Sequence, residues 1–78
     1  MKIIVDKPAE KFILRQPPKA QARLIQAIYR LPEGDVRPLS GRAGVFRLRV
    51  GDYRITFRYE GDTIVVRGAG NRGDVYKG

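Results

Sequence analysis

The stretch VFRLRVGDYRITFRYE, Val45 to Glu60, sets Arg47, Arg49, Arg54 and Arg58 at alternating positions on either side of a Gly51-Asp52 pair. In an extended chain successive side chains point to opposite faces, so this spacing gathers the guanidinium groups on one side. A guanidinium is a planar, permanently charged fork of N–H donors that matches the oxygens of a phosphate or carboxylate. Forks held side by side before a ligand arrives bind an anion. They also stabilise negative charge that develops on phosphoryl oxygens during a reaction.

Composition narrows the range of chemistry. The chain has 78 residues, which is one domain, 1–78. A domain of this size buries only about 60% of its unfolded surface, so its core is small. It has no cysteine, hence no disulfide framework and no thiolate metal site. It has no histidine, which removes the usual general base, metal ligand and pH switch. No metal and no cofactor is expected. The 16 basic residues, 11 of them arginine, face 8 acidic ones for a formal charge of +8. Such an excess calls for a polyanionic partner: nucleic acid, an anionic surface or an acidic protein. No apolar run approaches the roughly 20 residues of a membrane span, and the apolar start of MKIIVDKPAEK is too short for a signal peptide. The expected location is the cytoplasm of a microbe.

The elements that must hold the arginines follow from periodicity and punctuation. A short strand covers Lys2 to Val5. Asp6 can cap a helix from about Pro8 to Arg15 that turns Ala9, Phe12 and Ile13 to one side. Pro18 opens a second helix running to about Leu31, where Pro32 stops it, with Leu24, Ile28 and Leu31 in one stripe. PEGDVRPLSGRAG reads as a polar loop. Three strands follow, about Gly44–Val50, Tyr53–Glu60 and Thr63–Ala69, each consecutive pair joined by Gly-Asp in a II′ turn. Helices followed by an antiparallel meander make an α+β fold.

Counting outward from Gly51-Asp52 fixes a register. Val50 pairs with Tyr53, Leu48 with Ile55 and Phe46 with Phe57, so these six form one apolar face for the helices to cover. On the other face Arg49 lies across from Arg54, and Arg47 from Thr56. Counting on through Gly61-Asp62 sets Arg67 beside Thr56 and Val65 beside Arg58. Arg47, Arg49, Arg54, Arg58 and Arg67 then share one open face, with Asp52, Glu60 and Asp62 confined to the turns. Like charges directly across a strand pair cost a few tenths to about 1 kcal/mol, so folding alone explains this pairing poorly. The plainer alternative is ordinary solvated strand residues whose long stems cover the sheet. Tyr53 and Tyr59 read as core rather than site.

The segment PLSGRAGVFRLRVGDYRITFRYEGDTIVVRGAGNRGDVYKG resembles the second half of the RelE/ParE toxin superfamily. The likeness lies in the leucine-x-glycine loop, the FRLRVGDYRI hairpin and the Arg-x-x-x-Tyr of NRGDVY. The front half, a strand and the helices of AEKFILRQPPKAQARLIQAIYRL, also fits, so the resemblance covers nearly the whole chain. It implies two N-terminal helices packed on one face of a four- to five-stranded antiparallel sheet. The first strand would lie beside the last, with a further short strand near Asp74–Lys77.

The resemblance further implies a toxin of a type II toxin–antitoxin pair. RelE-like members enter the ribosomal A site and cut mRNA there by attack of a ribose 2′-OH on the adjacent phosphate. On that reading Arg47, Arg49, Arg54, Arg72 and Tyr76 are catalytic, and Arg42, Arg58, Arg67, Asn71 and Lys77 bind RNA. Many relatives carry lysine where this chain has Arg47 and Arg49. An arginine is a poor base, because its guanidinium stays protonated at any working pH, so proton abstraction falls to Tyr76, to Asp74 or to the ribosome. The implied partners are a cognate acidic antitoxin and the 70S ribosome with its mRNA. No membrane is implied, and operator DNA is met only through the antitoxin. ParE-type members instead bind DNA gyrase without cutting RNA, and they generally lack the terminal Arg-x-x-x-Tyr pair. A plain interaction module is the remaining alternative.

Overall fold

The Gly-Asp pairs and the prolines divide the chain into its elements. The computed structural model describes residues 2–71. The elements run β1 (Lys2–Val5), α1 (Lys7–Leu14), α2 (Pro18–Tyr29), β2 (Asp35–Pro38), β3 (Val45–Val50), β4 (Tyr53–Glu60) and β5 (Thr63–Asn71). Asp6 takes the N-cap position of α1 with extended backbone, but its side chain makes no bond to the helix. Its carboxylate turns instead to Arg67. α2 ends at Tyr29, before the expected Leu31. The Leu31 N–H still donates to the Ile28 carbonyl, which keeps Leu31 in the apolar stripe.

The core lies between the helices and one face of the sheet. Ala9, Ile13, Leu24, Ile28 and Leu31 meet Leu48, Ile55, Phe57, Ile64 and Val66, all buried. Burying a side chain of this size contributes about 1.5–3 kcal/mol. Phe46, Val50 and Tyr53 pack partly buried at the margin of this cluster. The Tyr53 hydroxyl donates to Gln16 Oε1 at 3.1 Å, tying the sheet to the end of α1.

The five strands lie in the order β1-β5-β4-β3-β2. Two features correct the expected topology. First, the stretch read as loop contains β2, which pairs antiparallel with β3 from Asp35↔Arg49 to Pro38↔Phe46. Secondly, β1 does lie beside the last described strand, but parallel to it, from Lys2↔Thr63 to Val5↔Val66. No hairpin joins these two strands, so turn chemistry does not dictate their relative direction. The short strand expected near Asp74–Lys77 lies outside the described residues.

The β3–β4 register is the one counted from the turn: Val50↔Tyr53, Arg49↔Arg54, Leu48↔Ile55, Arg47↔Thr56 and Phe46↔Phe57. Gly51 and Gly61 have φ of 59° and 61°, and among the described residues only glycines take a positive φ, so Asp52 and Asp62 do not, as II′ turns require. Between β4 and β5 the count fails beyond the first four pairs. A bulge between Thr56 and Phe57 makes the pairs Thr56↔Gly68 and Phe57↔Val66, leaving Arg67 as the extra residue. Among the described residues, no helix is long and apolar enough to cross a membrane.

Candidate functional site

The face of the sheet turned away from the helices carries the arginines. Arg49 and Arg54 are direct partners across the β3–β4 ladder, and Arg47 follows two residues away opposite Thr56. Their settings differ. Arg49 is exposed, whereas Arg54 is only 9% exposed. On the other flank of β4, Arg54 and Thr56 are paired with Gly70 and Gly68, which bring no side chain to compete for space. A Cβ on Gly68 would stand 3.0 Å from Thr56 Oγ1. Alternate glycines on one face of a strand mark a close approach of other groups to the backbone.

β2, in the stretch expected to be loop, brings further residues to this face. Asp35 pairs with Arg49, and Arg37 with Arg47, so both join the basic face. The side chain of Arg47, 12% exposed, reaches across to β2. It donates to the Asp35 carbonyl at 3.4 Å and lies 3.8 Å from the Asp35 carboxylate, while Arg37 lies 4.0 Å from the same carboxylate. The face is therefore not free of acids. Glu60 corrects the expectation likewise: it closes β4, accepts from Arg58 Nε at 2.8 Å and neutralises it. Arg67 Nε forms an ion pair with the Asp6 carboxylate at 2.9 Å.

Arg67 is not beside Thr56 in the ladder, because the bulge displaces it. Its side chain nonetheless helps to line a concavity of about 250 Å³ with Arg42, Val45, Thr56 and Arg58. Arg42 stands in the loop before β3, which is closed by bonds from Arg42 N–H to the Leu39 carbonyl and from Val45 N–H to the Arg42 carbonyl. Asn71 pairs with Tyr53 and so shares the helix-side register, apart from the arginines. Arg72, Asp74, Tyr76 and Lys77 lie outside the described residues. The signals that sequence reading passed over were the lone apolar Val36 between Gly34 and Pro38, which marks a short edge strand, and the glycines of RGAGN.

Residues 5–76 match the profile of the family described as the ParE toxin of the type II toxin–antitoxin system parDE. The fold is similar to that in the RelB–RelE antitoxin–toxin complex of Methanococcus jannaschii, with a TM-score of 0.78 and 25% identity over 95% of each chain. It is similar also to that in the RelBE2 toxin–antitoxin complex of Mycobacterium tuberculosis, with a TM-score of 0.77 and 24% identity over 91% of this chain and 96% of that one. A third likeness, to the archaeal RelE–RelB complex of Pyrococcus horikoshii, has a TM-score of 0.70 and 23% identity over 94% and 96% of the two chains. Among curated protein sequences none matches significantly. The profile match spans most of the chain, and with the fold and the arginine hairpin it shows that this chain belongs to the RelE/ParE superfamily of type II toxins.

Proposed function

We propose that this toxin is a ribosome-dependent mRNA endoribonuclease that acts in the cytoplasm and blocks translation by cutting mRNA in the ribosomal A site. The observation that carries the proposal is the direct opposition of Arg49 and Arg54, with Arg47 tethered beside them on the same face. Opposed like charges disfavour folding, and a phosphoryl group that gains charge at the moment of reaction rewards them.

In the proposed reaction the 2′-oxygen of a ribose attacks the phosphorus of its own 3′-phosphate. The new 2′-O–P bond forms as the P–O5′ bond breaks. The 2′-OH proton leaves to Tyr76, to Asp74 or to a ribosomal group, and the products are a 2′,3′-cyclic phosphate and a 5′-alkoxide, which takes up a proton to become the 5′-hydroxyl. Arg49 and Arg54 stabilise the pentacovalent intermediate, and Arg47 holds the scissile phosphate. Arg72 and Tyr76 complete the site, with Tyr76 stacking on a base of the codon or moving a proton. The chain has no histidine to serve as base, and this is the reason to expect dependence on the ribosome.

The antitoxin partner is proposed as an acidic segment that folds as it binds. Its carboxylates suit the basic face. Its apolar residues suit the helical side, where Val5, Ile13, Leu14, Ile25, Ile28 and Tyr29 line a groove of about 210 Å³. The test of function is incubation of purified toxin with an mRNA, with and without programmed ribosomes, and mapping of the cuts by primer extension. Cuts confined to translated codons and to the ribosome-containing reaction are expected. Equal cleavage of naked RNA would refute ribosome dependence. A second reading is favoured by the profile match itself, which is to ParE toxins. Gyrase poisoning would leave mRNA intact and raise an SOS response on induction.

A further inference from the structure

We propose that the cleft of Arg42, Arg58 and Arg67 above Thr56 is a second phosphate subsite, which takes a backbone phosphodiester of the same RNA strand away from the point of cleavage. The inference rests on the endoribonuclease reading and assigns how the substrate strand is gripped. The cleft has about 250 Å³ of space, and its lining among the described residues, Arg42, Val45, Thr56, Arg58 and Arg67, includes no acidic residue. Water occupies about 30 Å³ per molecule, so a hydrated phosphate fits.

The cleft is formed by an irregularity rather than by the regular ladder. With Arg67 as the bulged residue of β5, the side chain is re-aimed to line the cleft that Arg58 of β4 and Arg42 of the preceding loop also line. Thr56 contributes a hydroxyl whose bond to the Gly68 carbonyl is long, 3.5 Å, so little is lost when it turns to a phosphate oxygen. The two carboxylates now on these arginines, Glu60 on Arg58 and Asp6 on Arg67, are weak competitors. Both ion pairs are substantially exposed, with side-chain exposures of 46% and 49% in one and 51% and 37% in the other. Each shows the guanidinium already paired with an anionic oxygen.

Placement argues for a polynucleotide. Arg58 lies four residues along β4 from Arg54 on the same face, roughly 13 Å by strand rise. A strand of regularly spaced phosphates offers one group to each of two places so separated along β4. Thr56 stands midway and belongs to the same face. The subsite therefore sets the register of the strand, while Arg49 and Arg54 act at the scissile phosphate. An acidic peptide would also be drawn to the cleft, and the test separates it from RNA.

The experiment uses the full chain and a 2′-O-methylated single-stranded oligoribonucleotide, which cannot be cut. Its dissociation constant is measured by fluorescence anisotropy over a range of salt for wild type and for the double variant Arg58→Gln/Arg67→Gln. The expected result is binding about tenfold weaker, equally for different sequences, with a salt slope shallower by roughly one, since each phosphate contact on a single strand contributes about 0.7. Shortening the probe to a dinucleotide should remove the difference between wild type and variant, because so short a ligand reaches only one site. Arg42→Gln, on an exposed loop, repeats the comparison without altering the sheet and should give about half the change in slope. An unchanged slope would overturn the subsite. So would a defect that persists with the dinucleotide, or one seen with an oligoglutamate of equal charge but not with RNA. Failure of the wild type to cut mRNA on programmed ribosomes would remove the endoribonuclease reading instead, and the salt slopes would not change with it.

Discussion

Leu48, Ile55 and Phe57 on the helix side of the sheet alternate along β3 and β4 with Arg47, Arg49, Arg54 and Arg58 on the other side. The first set is at most 1% exposed and is explained by burial. The second set is not. It opposes one arginine to another, buries a second-row guanidinium at Arg54 and leaves Arg49 in solvent. A sheet needs only one packed face to fold. The residues of the other face are free to be chosen for a ligand, and on the proposed reading they are kept despite the opposition of Arg49 to Arg54.

Substitutions on the two faces should therefore separate stability from activity. Phe57→Ala, on the packed face, is expected to cost about 3–5 kcal/mol, a large part of the 5–15 kcal/mol typical of a domain. Thermal melting should find it largely unfolded, and a melting curve like that of the wild type would break the contrast between faces. Arg54→Ala should fall between the two classes. It removes a nearly buried side chain and its packing, at a cost of about 1–3 kcal/mol, and it should also abolish growth arrest. A melt unchanged in that variant would mean that Arg54 is no more structural than Arg49. The smallest change in stability is expected for Arg49→Ala. Relief of like-charge opposition should leave the melting temperature unchanged or raise stability by up to about 1 kcal/mol. A clear loss of stability would show that the basic face is needed for folding after all.

Much of this division was legible in the sequence because two-residue turns leave no slack in a hairpin. Once Gly51-Asp52 is read as a II′ turn, Arg49 must face Arg54 and Leu48 must face Ile55. The same count failed at Arg67, because a bulge inserts a residue without a distinctive sequence mark. Gly68, where an added Cβ would stand 3.0 Å from Thr56 Oγ1, was the available hint. β2 was missed because four residues, one of them Pro38 and only one of them half-buried and apolar, give no alternation to detect. With β2 unseen, Asp35 could not be placed against Arg47, and the basic face looked emptier of acids than it is. Likewise Asp6 offered itself as a helix cap, and only the fold revealed Arg67 as its partner.

Arg49, fixed on the open face before the ligand arrives, is proposed to act on the transition state rather than on folding. Single-turnover cleavage of mRNA on programmed ribosomes, with saturating toxin, tests it in Arg49→Ala beside the wild type. The expected rate is lower by about 10²–10³, the loss typical of removing one preorganised donor, in a protein that melts no lower than the wild type. Cleavage at the wild-type rate by the folded variant would contradict it and would move the reacting site off this face.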